Sequence, residues 1–143
     1  MTRAILTPFW ANETIRKWSG YHVLFDFFKK FLLESKDKFD MVYLLDSGWN
    51  FTSEDFSWLD SNLLGKYKVE KMKEQSHWDN LNEYAREVHE DFVLFMDYDM
   101  IIYDPKVLDE GFGLENTVKG ILDSSGGFDL PFSTILDTNK ERG

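Results

Sequence analysis

Phe92-Val93-Leu94-Phe95-Met96-Asp97-Tyr98-Asp99-Met100-Ile101-Ile102-Tyr103-Asp104-Pro105 is the stretch that decides how this chain is read. Five apolar residues run unbroken from Phe92 to Met96, enough for a strand buried on both faces, and they stop on two carboxylates one residue apart. In an open α/β sheet, ligands sit in the crevice beyond the carboxyl ends of the strands, so Asp97 and Asp99 are expected at the mouth of a site. Carboxylates this close repel each other, and a divalent cation or a shared proton is the usual relief. The triplet therefore reads first as a metal and phosphate site. The competing reading is an acidic surface turn, because a chain with 26 Asp and Glu makes such triplets by chance. The strand in front of the triplet is what gives it weight.

The same pattern recurs upstream. Met41 to Leu45 is a second continuous apolar run, and it too terminates on an acid, Asp46. Ser47-Gly48-Trp49-Asn50 reads as a tight loop, and Thr52-Ser53-Glu54-Asp55 has the form of a capping box opening a helix with Phe56, Leu59 and Leu63 on one side. Arg3 to Thr7 is a short buried strand that Pro8 is expected to close, leaving Pro8 to Asn12 as a loop. Ile15, Trp18, His22, Phe25, Phe28 and Leu32 follow a helical period from Thr14 to about Leu33, with a weak point at Ser19-Gly20. His22 on that stripe reads as a packed core histidine, since no second metal-type residue lies one turn away.

Tyr67 to Met72 alternates, as an edge or half-exposed strand does. Ser76-His77-Trp78-Asp79 is a second capping box, before a helix whose inward stripe is Trp78, Leu81, Ala85 and Val88. Beyond the acid pair, Met100 to Tyr103 is a short apolar continuation, and Asp104-Pro105 reads as the start of a helix. A further helix is expected around Leu114 to Asp123, then a strand from Phe128 to Ile135 that Pro131 makes an edge or bulged one.

At 143 residues the chain is read as one domain. Hydrophobic content of 43% supports a core, while thirteen Phe and five Trp exceed what core filling demands and point to a ligand groove or to a face covered by further chain. A formal charge of −10 disfavours nucleic acid and anionic membranes, although a metal can still bridge carboxylates to nucleotide phosphates. The absence of cysteine excludes disulfides, thiolate chemistry and Cys-ligated zinc. No signal peptide is visible and nothing approaches the ~18 apolar residues of a membrane span, so the chain reads as soluble and cytoplasmic. Asn12-Glu13-Thr14 and Asn50-Phe51-Thr52 have the form of glycosylation acceptors, a tripeptide common by chance.

Strands alternating with helices predict an α/β fold, a Rossmann-like three-layer α/β/α sandwich with a mainly parallel sheet. Thr7-Pro8-Phe9-Trp10 stands where a dinucleotide-binding glycine fingerprint would be, and neither a P-loop nor a nucleophile elbow is present.

This order of features resembles the donor-binding half of GT-A glycosyltransferases, the nucleotide-diphospho-sugar transferases. Thr7-Pro8 matches the family's loop after the first strand, Leu45-Asp46-Ser47-Gly48 its acid that contacts the base, and Val93 to Asp99 its Asp-x-Asp metal motif. The resemblance runs to about Pro105. It implies Mn²⁺ or Mg²⁺ as cofactor, with Asp99 coordinating a metal bound to the diphosphate and Asp97 touching the ribose or holding the metal through water. It implies that Asp46 accepts hydrogen bonds from the base and that Thr7, Pro8, Phe9 and Trp10 line the base pocket. The implied donor is a UDP- or GDP-linked sugar, the acceptor is unknown, and no protein nucleophile is required.

Trp78-Asp79-Asn80 replaces the Ala-Arg-Asn type start of one large branch, which weakens any phosphate or ribose role for Asn80. An acceptor site, a later metal ligand and a catalytic base find no residues here. Residues 1–143 therefore read as a truncated donor domain, or as one completed by another polypeptide. Two other readings stand beside this one. A haloacid-dehalogenase-like phosphotransferase also places Asp-x-Asp after a hydrophobic strand, but near the start of its domain and with Thr or Val where this chain has Ile101. The other is a domain that binds a nucleotide sugar or metal without turnover, or whose Asp pair merely caps a strand.

Overall fold

The computed structural model describes residues 2–73, 75–99, 106, 108–109, 118–120 and 133–137. The first strand, β1 (Arg3–Trp10), is followed by a single helical turn, α1 (Glu13–Arg16), and a longer helix, α2 (Val23–Ser35). Then come β2 (Met41–Ser47), α3 (Ser53–Leu63), β3 (Tyr67–Lys71), α4 (His77–Tyr84) with a 3₁₀ turn at Ala85–Glu87, and β4 (Phe92–Met96). Two more strands, β5 (Val118–Gly120) and β6 (Ser133–Asp137), complete one sheet in the order β3-β2-β1-β4-β6-β5. The four strands from β3 to β4 are mutually parallel, whereas β6 runs antiparallel to both β4 and β5.

Helices cover both faces, which makes three layers. On one face Phe25, Phe28, Phe31 and Leu32 of α2, Leu59 and Leu63 of α3, and Leu108 pack on Ile5, Phe9, Val42, Leu44, Phe92, Leu94 and Met96. On the other, Leu81, Tyr84 and Val88 cover Ala4, Leu6, Tyr43, Leu45 and Val93. The strand residues divide by parity, as a pleated strand requires. Each large apolar side chain so enclosed contributes about 1.5–3 kcal/mol. The expected α/β sandwich with a mainly parallel sheet is the observed fold.

Several local expectations are corrected. Pro8 does not end β1: the strand runs on to Trp10, pairing with β2 as far as Ser47. The last residue of β1 paired with β4 is Leu6, opposite Phe95, so Pro8 lies where β1 has one neighbour and its missing N–H breaks no pairing to β4. The long helix expected from Thr14 is two, divided at Gly20, whose φ of +83° no helix accommodates. Trp18 falls in the non-helical segment between the two helices and is 62% exposed instead of inward. Trp78 is likewise 54% exposed, and Tyr84 takes the inward place beside Leu81 and Val88.

Val118–Gly120, expected within a helix, is strand β5, held by its pairing with β6. β6 begins at Ser133 and lies between β4 and β5, so it is not an edge; Pro131 falls outside the described residues, as does the Asp104-Pro105 cap. The first capping box is complete, and of the second the N-cap is present without the reciprocal bond. Thr52 and Asp55 form a reciprocal box, and the Ser76 side chain accepts from the Asp79 amide.

Candidate functional site

Strand order brings the candidate site residues to one edge of the sheet. From β1 the chain builds outward through β2 to β3, then crosses back to lay β4 on the far side of β1. The point between β1 and β4 is where the winding direction reverses, and in doubly wound sheets ligands occupy the crevice beyond the carboxyl ends of such a pair. β1 ends there with Thr7 to Trp10, and β4 ends there with Asp97 and Asp99. Phe95 lies opposite Leu6, so Asp97 follows at the level of Pro8.

Asp97 is half-buried and Asp99 exposed, on the turn that leaves β4. Tyr98 between them turns into the protein. Its ring stacks on Phe9, with centroids 5.0 Å apart and planes 20° apart, and lies 5.0 Å from the Trp49 ring. Burial first, then the Asp99 and Asp97 carboxylates, push the Tyr98 hydroxyl above its ordinary pKa. The turn thus presents two acids on either side of an anchored ring.

Asp46 lies one residue before the end of β2, beside Phe9, its register partner on β1. Its carboxylate accepts from the Asn50 amide (3.0 Å) and the Phe51 amide (3.2 Å), one on each oxygen. Lys71, the last residue of β3, stands 3.4 Å from Oδ2. This acid caps the loop that follows its own strand, which the Asp-tipped strand pattern did not reveal. The bend costs Asn50 a φ of +62°, a conformation Asn tolerates better than most residues. The loop carries Trp49 inward, fully enclosed, where it meets Phe9, Tyr21 and His22.

Thr7, Pro8 and Phe9 are buried within β1, and Trp10 is the partly exposed member of the stretch. Phe9 is the hub of an aromatic cluster, touching Phe25, Phe28, Trp49, Phe51 and Tyr98. It therefore joins the Asp46 loop to the Asp97–Asp99 turn through rings alone. His22 packs on Tyr21 and Trp49, in keeping with a packing role. Asn80 is buried in the first turn of α4, its Oδ1 accepting from Gln75. One further residue was not singled out in the sequence: Arg16, whose guanidinium donates to the carbonyls of Ala11 (2.7 Å) and Gly48 (2.8 Å), fastening the loops after β1 and β2 together.

Among the described residues no three His, Asp or Glu side chains gather as a metal-binding group. Asp97 and Asp99 are two hard oxygen donors, the kind of partial set that Mg²⁺ takes when substrate phosphates and water complete its shell. They fit a cation shared with a diphosphate and do not amount to a cage for a resident ion.

No protein-family model matches this chain, and no curated protein sequence does. Solved structures do match. The apo-form glycosyltransferase GlyE of Streptococcus pneumoniae TIGR4 is 18% identical, with a TM-score of 0.55 over 98% of this chain and 35% of GlyE. The mannosyltransferase PcManGT from Pyrobaculum calidifontis, solved in complex with GDP-Man and Mn²⁺, is 14% identical, with a TM-score of 0.51 over 77% of this chain and 31% of its own. A 4-diphosphocytidyl-2C-methyl-D-erythritol synthase from Anaerococcus prevotii is 8% identical, with a TM-score of 0.57 over 97% of this chain and 71% of its own. The chain spans about a third of the length of the first two. The shared feature is the fold, that of GT-A sugar transferases and of nucleotidyltransferases. Among the described residues no helix is long and apolar enough to cross a membrane.

Proposed function

We propose that this chain is the donor-binding unit of a metal-dependent glycosyltransferase that takes its sugar from a UDP- or GDP-linked donor. One observation carries the reading: an Asp-x-Asp turn leaves β4 at the switch point beside the end of β1. In this reading Asp99 and Asp97 hold Mn²⁺ or Mg²⁺ against the diphosphate, Asp97 directly or through water and with the ribose in reach. A bound cation neutralises the charge that develops on the departing nucleoside diphosphate. Asp46 serves the base through acceptor positions its carboxylate keeps beyond the two loop amides, opened when the exposed Lys71 that closes over it swings aside. Trp10 is the member of the Thr7–Trp10 stretch with surface to offer the nucleoside, while Thr7, Pro8 and Phe9 support it from the sheet.

A nucleotidyltransferase is the second reading, favoured by the likeness to the diphosphocytidyl enzyme over nearly the whole of this chain. Calorimetric titration of the protein with UDP, GDP and CTP, each with and without Mn²⁺, separates the two. Weak binding of UDP or GDP that Mn²⁺ strengthens markedly, with that gain lost in Asp99→Asn and the fold intact, is the expected result. Retained Mn²⁺-dependent binding in Asp99→Asn would sink the metal assignment, and preference for CTP would move the chain to the second reading. Release of free sugar from a bound donor distinguishes an enzyme from a binding module.

A further inference from the structure

We infer that Tyr98 is a positioning residue for the two carboxylates beside it, and that its stack on Phe9, more than its hydroxyl, sets their geometry. The inference rests on the proposed metal and diphosphate role of Asp97 and Asp99.

A two-carboxylate site is demanding. With two protein ligands among the described residues, affinity depends on holding both oxygens at the right separation before the cation arrives, and short side chains on a turn have little rigidity of their own. Here the turn is pinned at its middle residue. The Tyr98 ring is nearly parallel to Phe9 at 5.0 Å and tilted against Trp49 at the same distance. Phe9 and Trp49 are both fully enclosed, so Tyr98 rests on the rigid core and not on another surface group. Phe9 is itself held edge-on by Phe25 and Phe28 of α2, which fixes the stack against sliding. Offset aromatic contacts of this kind attract beyond the area they bury, which biases a short turn toward one conformer.

Phe9 also lies beside Asp46 in the sheet and against Phe51 and Trp49 of the loop that Asp46 caps. One ring system thereby relates the metal end of the site to its base end. A residue that orients ligands from the next layer typically costs 10–100-fold in metal affinity when removed.

The test uses wild type, Tyr98→Phe, Tyr98→Ala and Asp99→Asn, with Mn²⁺ binding read by electron paramagnetic resonance in the presence of UDP or GDP, and metal-free nucleotide affinity read by calorimetry. Tyr98→Phe is expected to keep Mn²⁺ affinity within about two-fold, and Tyr98→Ala to lose about ten-fold or more. Metal-free nucleotide affinity is expected to stay unchanged in both. Should Tyr98→Ala fail to fold, Tyr98→Leu takes its place, filling much of the space without a flat face. Undiminished Mn²⁺ binding in the Ala or Leu variant overturns the inference while leaving the metal site standing. So does an equal loss in Tyr98→Phe, which would assign the effect to the hydroxyl. A parallel fall in metal-free nucleotide affinity means a merely structural role and overturns it too. If wild type itself binds no Mn²⁺ with either nucleotide, or if Asp99→Asn binds as well as wild type, the proposed metal site fails and the inference falls with it.

Discussion

Lys71 Nζ stands 3.4 Å from Asp46 Oδ2 and donates to Asn50 Oδ1 at 3.0 Å, so a 70% exposed ammonium closes over a carboxylate only 2% exposed. The two partners of that ion pair do not matter equally. The buried acid also holds two loop amides, whereas the lysine is solvated along most of its length.

Asp46→Ala is therefore expected to destabilise the protein by about 1–3 kcal/mol, the cost of leaving enclosed donors unmatched. Lys71→Ala should cost less than about 1 kcal/mol, as exposed ion pairs do. Urea denaturation of the two variants measures both. Equal losses would mean that the ion pair, not the loop amides, is what Asp46 provides to the fold.

Leu64 follows α3 in the left-handed conformation, with φ of +49° and ψ of +47°, and is 82% exposed. A Cβ-bearing residue there is strained, and this side chain recovers little by packing. Leu64→Asn is expected to raise stability by about 0.5–1 kcal/mol. A lowered denaturation midpoint would show that the leucine makes contacts worth more than its strain.

Tyr67 donates to the Asp60 carboxylate, and that hydrogen bond first, then burial and the Asp60 charge, raise its pKa to about 12. In the unfolded chain a tyrosine titrates near ~10. The folded form holds the proton more tightly, so this contribution is complete below pH ~10 and is lost as pH rises from there through about 12. Tyr21, Tyr43, Tyr84 and Tyr98 are shifted in the same direction, each with burial as the largest cause. Stability should therefore fall steeply in alkali. Tyr67→Phe should lower stability at neutral pH and flatten that fall, with the two proteins converging above pH ~12. Parallel alkaline curves would show that the Tyr67 proton is not linked to folding.

The features legible in the sequence were those set by near neighbours. The Phe92–Met96 strand, the run from Met41 that ends on Asp46, and the caps at Thr52 and Ser76 all depend on residues within a few positions, and all stand where they were expected. Pro8 does not close its strand, because a proline's effect there depends on whether a neighbour still pairs at that level, and β4 has stopped pairing with β1 by then. Trp18 is exposed because it lies in the non-helical segment between α1 and α2, where Gly20 takes a positive φ, so the helical period does not reach it. Val118–Gly120 is strand because β6 pairs with it, and a three-residue segment has no periodicity of its own to announce that. At the candidate site the acids are visible in the sequence and their supports are not: the amides that occupy Asp46, the carbonyls that Arg16 joins and the ring beneath Tyr98 are brought together by folding.

By itself the sequence determined the class of fold and the chemistry on offer. Uninterrupted apolar runs between capped helices require a sheet covered on both faces, and an apolar strand that stops on acids must deliver them at its end. Only the tertiary structure decided which strand ends meet. The return of β4 to the far side of β1 is a choice of strand order, settled by which faces can be covered at once, and hydrophobic period carries no record of it. That choice brings the end of β1 beside Asp97 and Asp99, and lets Phe9, an ordinary strand residue in the sequence, become the ring on which Tyr98 rests.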